Sequence, residues 1–220
     1  MMQWISEKTC YCGYSNLGPS NCIDIINFSF EKGFEGAINC ANKAILLSDC
    51  LLSLGIFALP ITITNNILNK NNNDFGAGTV HVVVHVYINE CKKWIMLDPS
   101  FNSYLINDEG NILNLIEIKK AYNNAEYVKI GQYSLNGNNE IFREKYINQF
   151  IFLSLFRISI WDGNSDDKRN DNNLLIPIDV DFKEYMLSLL PLCDEIENFC
   201  DNLNYISIDE FLASPDMFIL

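Results

Sequence analysis

The fold is decided by two apolar segments joined by a short polar turn, Val80-His81-Val82-Val83-Val84-His85-Val86-Tyr87-Ile88 and Lys93-Trp94-Ile95-Met96-Leu97-Asp98-Pro99. Successive side chains of a strand point to opposite faces, so both histidines share one face of the first segment. They are the only two histidines of the chain. The residues Asn89-Glu90-Cys91 between the segments are typical of a tight turn. The pattern predicts an antiparallel hairpin.

The register of this hairpin bears on which histidine lies near Asp98. A two-residue turn at Asn89-Glu90 places His81 opposite Asp98, whereas a turn slipped to Cys91 moves Asp98 towards Val84, whose side chain faces the other way. The histidines are roughly 13 Å apart at about 3.3 Å per residue, too far to share a metal without other ligands between them. Periodicity favours His81 as the partner of Asp98. A core histidine is the alternative for His81 and, more strongly, for His85.

An amphipathic helix is predicted over residues 40–54, just upstream of a β-branched strand at residues 56–64. Apolar residues recur there at helical spacing: Cys40, Ala44, Leu47, Leu51 and Leu54. Asn39 suits the N-cap and Gly55 the position after the C-terminus. Cys40 then lies at a helix N-terminus, where the peptide dipoles lower the pKa of a thiol and free N–H groups can bind an oxyanion. The alternative is a structural cysteine on the apolar stripe.

Cys40, His81 and Asp98 together form a pattern that nucleophilic catalysis needs. A thiol requires a base to become a nucleophile near neutral pH, and the base requires an acceptor that orients it. Asp98 suits that acceptor at the end of a strand, although Asp before Pro99 also suits a turn. The pattern predicts a cysteine enzyme that forms an S-acyl intermediate.

Composition sets limits on the class of protein. The chain has 220 residues, a net charge of −13 and a pI near 4.4, which argues against binding to nucleic acid or to an anionic membrane. No segment approaches the roughly 18 consecutive apolar residues of a membrane span, and no signal peptide is visible. We expect a cytoplasmic protein whose eight cysteines are mostly reduced. No cofactor or metal is expected, since Cys10 and Cys12 are the only close cysteine pair and no CxxC motif is present.

The remaining segments complete the predicted organisation. Residues 1–35 are expected to be irregular, apart from a helix or strand at 23–30, and residues 65–78 to form a surface loop that is a candidate lid over the site. Residues 141–160 are predicted to form a buried helix and 180–203 an amphipathic helix, separated by an exposed loop at 162–173. The predicted division is a catalytic core over residues 1–120 and a helical extension over 121–220, packed as one compact unit.

Four stretches of the chain together resemble the transglutaminase-like superfamily of papain-type thiol enzymes. They are Asn39-Cys40-Ala41-Asn42-Lys43-Ala44, Leu51-Leu52-Ser53-Leu54-Gly55-Ile56, residues 81–87 and residues 93–99. The resemblance covers about residues 35–120. It implies an α+β fold in which the helix of the cysteine packs on an antiparallel sheet. It also implies Cys40 as nucleophile, His81 as base and Asp98 as acid.

The chain departs from that family at two positions. His85 stands where a carboxylate or another polar residue is common, and Val83 where an aromatic residue is frequent. His85 is therefore a candidate for the substrate groove or a space-filling residue, and Asn39 is the second candidate for substrate binding.

The resemblance implies attack of a thiolate on an amide, ester or thioester carbonyl. We expect transfer to an amine acceptor, with a small or peptidyl acyl substrate, including a thioester on a carrier protein. Hydrolysis by a peptidase or amidase is the first alternative, because the same histidine can deprotonate water. A non-catalytic binding module that retains the fold is the second.

Overall fold

The computed structural model describes residues 1–13, 19, 21–65, 80–124, 129–130, 153–160, 170–175 and 204–215. The helices of these ranges are α1 (Met2–Lys8), α2 (Cys22–Lys32), α3 (Cys40–Ser53), α4 (Leu115–Asn123) and α5 (Ile208–Phe211), with a 3₁₀ turn at Gly33–Gly36. The strands are β1 (Ala58–Asn65), β2 (Val80–Ile88), β3 (Lys93–Leu97), β4 (Leu105–Ile106), β5 (Lys129–Ile130), β6 (Leu153–Ile160), β7 (Asn170–Leu175) and β8 (Asn204–Ile206).

Six of these strands form one sheet in the order β3-β2-β1-β6-β7-β8. Neighbouring strands are antiparallel except β7 and β8, which are parallel. Strands β4 and β5 make a separate antiparallel pair. The predicted hairpin is confirmed as β2 and β3, and the predicted strand at 56–64 corresponds to β1.

The two faces of the sheet bury different cores. Helices α1, α2 and α3 cover one face, where Ile5, Ile25 and Leu46 pack with the β2 residues Val84 and Val86. Helix α4 and Phe211 of α5 pack over the opposite face, in a cluster that includes Val83 and Met96. The alternation of side chains along β2 explains this division. An α+β fold with the helix of Cys40 packed on an antiparallel sheet is thereby confirmed.

Helix α3 begins and ends at the residues that its sequence predicts. The Asn39 side chain accepts a hydrogen bond from the Asn42 N–H (3.0 Å), and the Asn42 side chain accepts one from the Asn39 N–H (3.4 Å), which forms a reciprocal capping box. At the other end Gly55 adopts φ 76° in a Schellman motif, whose hydrogen bonds return to the carbonyls of Leu51 and Leu52. Both caps fix where the helix of Cys40 starts and stops.

Three predictions about secondary structure are wrong over the residues that the structure describes. Residues 1–35 are not irregular, because helices α1 and α2 occupy much of them, and the undecided segment 23–30 lies in α2 behind the N-cap Asn21. The predicted helix at 141–160 is a strand over its described part, since β6 pairs with β1. Its sequence alternates between apolar and polar residues often enough for a strand, and the otherwise open edge of β1 provides the partner.

Other predictions fall partly or wholly outside the described residues. The candidate lid beyond Asn65 and the helix predicted at 180–203 lie there. The third wrong prediction is the exposed loop at 162–173, because its described residues, 170–173, belong to β7. The division at residue 120 stays a prediction, although β6, β7 and β8 extend the sheet of the core. Within the described ranges, no helix is both long enough and apolar enough to cross a membrane.

Candidate active site

Asp98 lies at the point where β3 ends, and its side chain is fully buried. Its Oδ1 accepts a hydrogen bond from the Ser100 N–H at 2.9 Å, while Oδ2 accepts one from His81 Nε2 at 2.8 Å. The Asp98 backbone exchanges two hydrogen bonds with Ser103, which fixes the turn after the strand. Asp98 is therefore both a turn residue and the acceptor for His81, and the two roles proposed from the sequence are compatible.

The register that brings Asp98 to His81 differs from the predicted one. Val84 pairs with Leu97, so continuing the ladder places Asp98 beside Val83 rather than opposite His81. The turn contains four residues, 89–92, because Lys92 adopts φ 49° and closes it with a hydrogen bond to the Asn89 carbonyl. His81 and Val83 share a face, so Asp98 reaches His81 as a diagonal neighbour. The predicted pair of residues is brought together, but the two-residue turn is wrong.

Cys40 is the first residue of α3 and is partly buried. Its thiol hydrogen-bonds with His81 and accepts a hydrogen bond from the Val82 N–H. Val84 is the most N-terminal β2 residue that pairs with β3, so the Val82 backbone lies beyond the end of β3. Cys40 thus lies at the β2 edge beyond the end of β3, and all three residues predicted to be catalytic make one chain of contacts.

The electrostatics of this chain favour an ion pair between Cys40 and His81. Burial acts against charge on both groups, raising the pKa of Cys40 and lowering that of His81. The hydrogen bond and charge of His81, helped by the Val82 N–H, outweigh burial and lower the pKa of the Cys40 thiol. The charge and hydrogen bond of Asp98, then those of Cys40, raise the pKa of His81 to about 10. A thiolate beside an imidazolium results over the interval between the two pKa values.

Aromatic side chains flank this group. The Phe101 ring lies 5.5 Å from the His81 ring and 5.6 Å from the Tyr11 ring, centroid to centroid. Burial, followed by the negative charges of Cys40, Asp98 and Cys12, raises the pKa of Tyr11 well above its usual range, so its hydroxyl stays protonated. Tyr11 thus lies near the Cys40 thiol although it is distant in sequence.

His85 occupies a different environment on the same face of β2. Its ring is stacked between Trp94 and Phe211, with both centroid distances 4.9 Å, and it is 1% exposed. Nε2 finds no hydrogen-bond partner among the described residues. Burial lowers the pKa of His85 to about 3, so the ring is neutral. The structure gives His85 the surroundings of a core residue, and its predicted role in a substrate groove stays a prediction.

Asn39 is the N-cap of α3 and is 8% exposed. Its side chain accepts a hydrogen bond from the Asn42 N–H, and its backbone carbonyl accepts one from the Lys43 N–H. The N–H groups of Cys40 and Ala41 precede these two in the first turn, where helix N–H groups have no acceptor within the helix. They are therefore the candidate donors for an oxyanion. Asn39 therefore supports the start of the helix, and direct substrate binding by it stays a prediction.

The sequence reasoning missed Tyr11, Phe101 and Lys43. Lys43 is fully buried and reaches the backbone of residues at the end of α1. Its position after Asn39-x-x-Asn42, inside an apolar helix start, is the one local signal that could have drawn attention to it. Tyr11 and Phe101 carry no such signal, because their contacts join parts of the chain that are far apart in sequence.

The arrangement can generate a thiolate, protonate a leaving group and hold a developing oxyanion, which are the requirements of acyl transfer. In the part of the chain that the structure describes, no cluster of three or more His, Cys, Asp or Glu side chains could hold a metal ion. Comparison of the chain with protein-family models, curated proteins and solved structures finds no significant match.

Proposed function

We propose that the protein is a transglutaminase-like cysteine acyltransferase that works through an S-acyl intermediate on Cys40. The observation that carries the proposal is the continuous contact from the Cys40 thiol to His81 and from His81 Nε2 to Asp98 Oδ2 at 2.8 Å. Packing alone does not require a buried carboxylate, an imidazole and a helix-terminal thiol to meet in this way. We also propose, as part of the same assignment, that the fold is transglutaminase-like and thus papain-like.

In the first half of the reaction the Cys40 thiolate attacks the carbonyl carbon of an acyl donor. The carbonyl oxygen becomes an oxyanion, and the N–H groups of Cys40 and Ala41 are its proposed donors. His81, held by Asp98, then gives its proton to the leaving group as the tetrahedral intermediate collapses. The donor is a small or peptidyl amide, ester or thioester, including a thioester carried on a protein.

In the second half an amine acceptor attacks the S-acyl group. His81 takes the proton of the amine, and the Cys40 thiolate leaves as the amide forms. Water in the same position gives a free acid, which is the outcome for a peptidase or amidase. The experiment that tests the proposal therefore has to distinguish an amine acceptor from water.

The test is incubation of the purified protein with acetyl and benzoyl thioesters of N-acetylcysteamine, with and without a diamine. We expect mass spectrometry to find the acyl group on Cys40 and an amide product that requires the diamine. Free acid as the only product, with or without diamine, would replace transfer by hydrolysis. Absence of any acyl adduct would support the non-catalytic binding module.

A matched pair of variants makes the assignment specific. Cys40→Ser removes the proposed nucleophile, whereas Cys50→Ser changes another partly buried cysteine of the same helix. We expect acylation to be lost in C40S and kept in C50S. Equal acylation of wild type and C40S would reject Cys40 as the nucleophile.

A further inference from the structure

Lys43 has an unusual position for a charged residue. It lies on α3 one turn after Cys40, its side chain is 0% exposed, and it is among the largest fully buried side chains of the described chain. Burial lowers its pKa to about 8, while the negative charges of Asp98 and Cys10 act in the opposite direction. A buried ammonium at a helix N-terminus is unfavourable both for desolvation and for the helix dipole.

The Lys43 ammonium is held by backbone groups at the end of α1. Nζ donates hydrogen bonds to the carbonyls of Thr9 at 3.1 Å and Ser6 at 3.4 Å. It also lies 5.8 Å from the centroid of the Tyr11 ring, within the range of a cation–π contact. These contacts join residues that are 34 and 37 positions apart in the chain. An apolar side chain in the same place could bind neither carbonyl.

The segment that Lys43 holds, Thr9–Cys12, continues directly to the candidate site. Ile38 donates a hydrogen bond to the Cys10 carbonyl at 2.9 Å and accepts one from the Cys12 N–H at 3.0 Å. Between these two bonds, Tyr11 places its ring against Phe101, which in turn lies against His81. Backbone hydrogen bonds to Ile38, two residues before Cys40, thus hold the segment at Cys10 and Cys12, and Lys43 holds it at Thr9.

We propose that Lys43 is a positioning residue that holds the Thr9–Cys12 segment on α3, so that the Tyr11 side chain forms a fixed wall beside Cys40. A charged donor is required because the groups to be held are carbonyls, and charge-assisted hydrogen bonds are about twice as strong as neutral ones. The consequence for catalysis rests on the proposed function, whereas the holding of the segment does not.

The first measurement is hydrogen exchange at the Cys12 and Ile38 amides in wild type, Lys43→Met and Leu47→Ala. Leu47 is buried on the same helix and serves as a control for general destabilisation. Loss of the charged hydrogen bonds should speed exchange at both amides by about 10- to 100-fold in K43M, with strand β2 little changed. In L47A exchange should rise without this selectivity. Unchanged exchange at the two amides in K43M overturns the proposal, as does an increase spread evenly over the chain.

The second measurement is the rate of Cys40 alkylation by iodoacetamide at pH 7, followed by mass spectrometry. Release of the Thr9–Cys12 segment should open the Tyr11 wall beside Cys40, so alkylation should be about 3- to 10-fold faster in K43M, and not in L47A. Lys43→Arg, which keeps the charge and the donors, should retain the wild-type rate. A K43M rate equal to that of wild type overturns the link between Lys43 and the surroundings of Cys40.

The two measurements separate failure of this inference from failure of the proposed function. Wild-type Cys40 that reacts no faster than the other cysteines counts against the acyltransferase, whatever the exchange data show. If K43M does not fold, Lys43→Gln, which keeps a polar donor without the charge, is measured in its place. Selective loss of protection at Cys12 and Ile38 in K43Q supports the proposal, and wild-type protection at both amides in K43Q overturns it.

Discussion

The two histidines of β2 lie on the same face of one strand and are both buried, yet they have opposite chemistry. His81 donates to Asp98 at 2.8 Å and contacts Cys40, and its pKa is raised to about 10. His85 lies between the rings of Trp94 and Phe211, and its pKa is lowered to about 3. At neutral pH the first ring is therefore charged and the second is neutral.

Burial does not explain the difference, because it lowers the pKa of both rings. The cause is the place where β3 ends. Asp98 follows the last β3 residue and turns its carboxylate towards His81, whereas His85 pairs with Met96 inside the ladder. A strand supplies equivalent positions at every second residue. The carboxylate at the end of the neighbouring strand makes the histidine at one of these positions charged.

The largest expected effect separates the two histidines directly. His81→Ala should slow acylation of Cys40 by thioesters about 1000-fold at pH 7, because the base and the counter-ion of the thiolate are both lost. His85→Phe should leave the rate nearly unchanged. Single-turnover acylation followed by mass spectrometry measures both. Comparable losses in the two variants would contradict a catalytic distinction between these residues.

The next effect tests whether Asp98 creates the distinction. Asp98→Asn keeps the size of the side chain but removes its charge, so the pKa of His81 should fall from about 10 towards its ordinary value. Acylation at pH 7 should decrease about 100-fold, since the amide also favours the wrong ring tautomer.

The control for this prediction is Asp108→Asn, which changes an exposed carboxylate in a later turn. The pH–rate profile of wild type should rise through the Cys40 pKa and fall near pH 10, where His81 loses its proton. In D98N the falling limb should move to lower pH. A falling limb that stays in place would show that Asp98 does not set the His81 pKa.

The third effect concerns stability and belongs to His85. An unfolded chain binds a proton at His85 below its ordinary pKa of 6.5, whereas the folded chain does so only near 3, so protonation favours unfolding as pH falls through this interval. Between pH 7.5 and pH 5 the contribution is about 2 kcal/mol. His85→Phe should remove this loss of unfolding free energy, measured by urea denaturation at both pH values. Parallel losses in wild type and H85F would mean that His85 is not kept neutral by the fold.

Local patterns in the sequence were sufficient for much of this comparison. The alternation of β2 placed both histidines on one face, and the caps and stripe of α3 placed Cys40 at a helix N-terminus. These features depend on neighbours within a few residues, which a sequence displays directly. That Cys40, His81 and Asp98 lie together could therefore be predicted, and their catalytic roles stay a prediction.

Features that depend on distant residues or on single backbone angles could not be predicted. The φ of 49° at Lys92 sets the hairpin register, and the sequence of the turn does not reveal it. Strand β6 is specified by the edge of β1, and the burial of Lys43 is specified by carbonyls near the N-terminus of the chain. Energies that arise from such long-range pairing are absent from any local window.

The smallest expected effect tests whether Cys40 must be held in place beside His81. Among the described residues, His85 has no partner of this kind that a helix cap would hold. Asn39→Ala removes the N-cap of α3 and should cost about 1 kcal/mol of unfolding free energy, measured in urea. Asn21 is the equivalent cap of α2, since its side chain accepts a hydrogen bond from the Asp24 N–H at 2.9 Å. Asn21→Ala should therefore lower the unfolding free energy by about the same amount. Only N39A frays the helix turn that carries the thiol, so only N39A should also slow alkylation of Cys40. If N21A slowed alkylation equally, the effect would come from global stability rather than from the position of Cys40 beside His81.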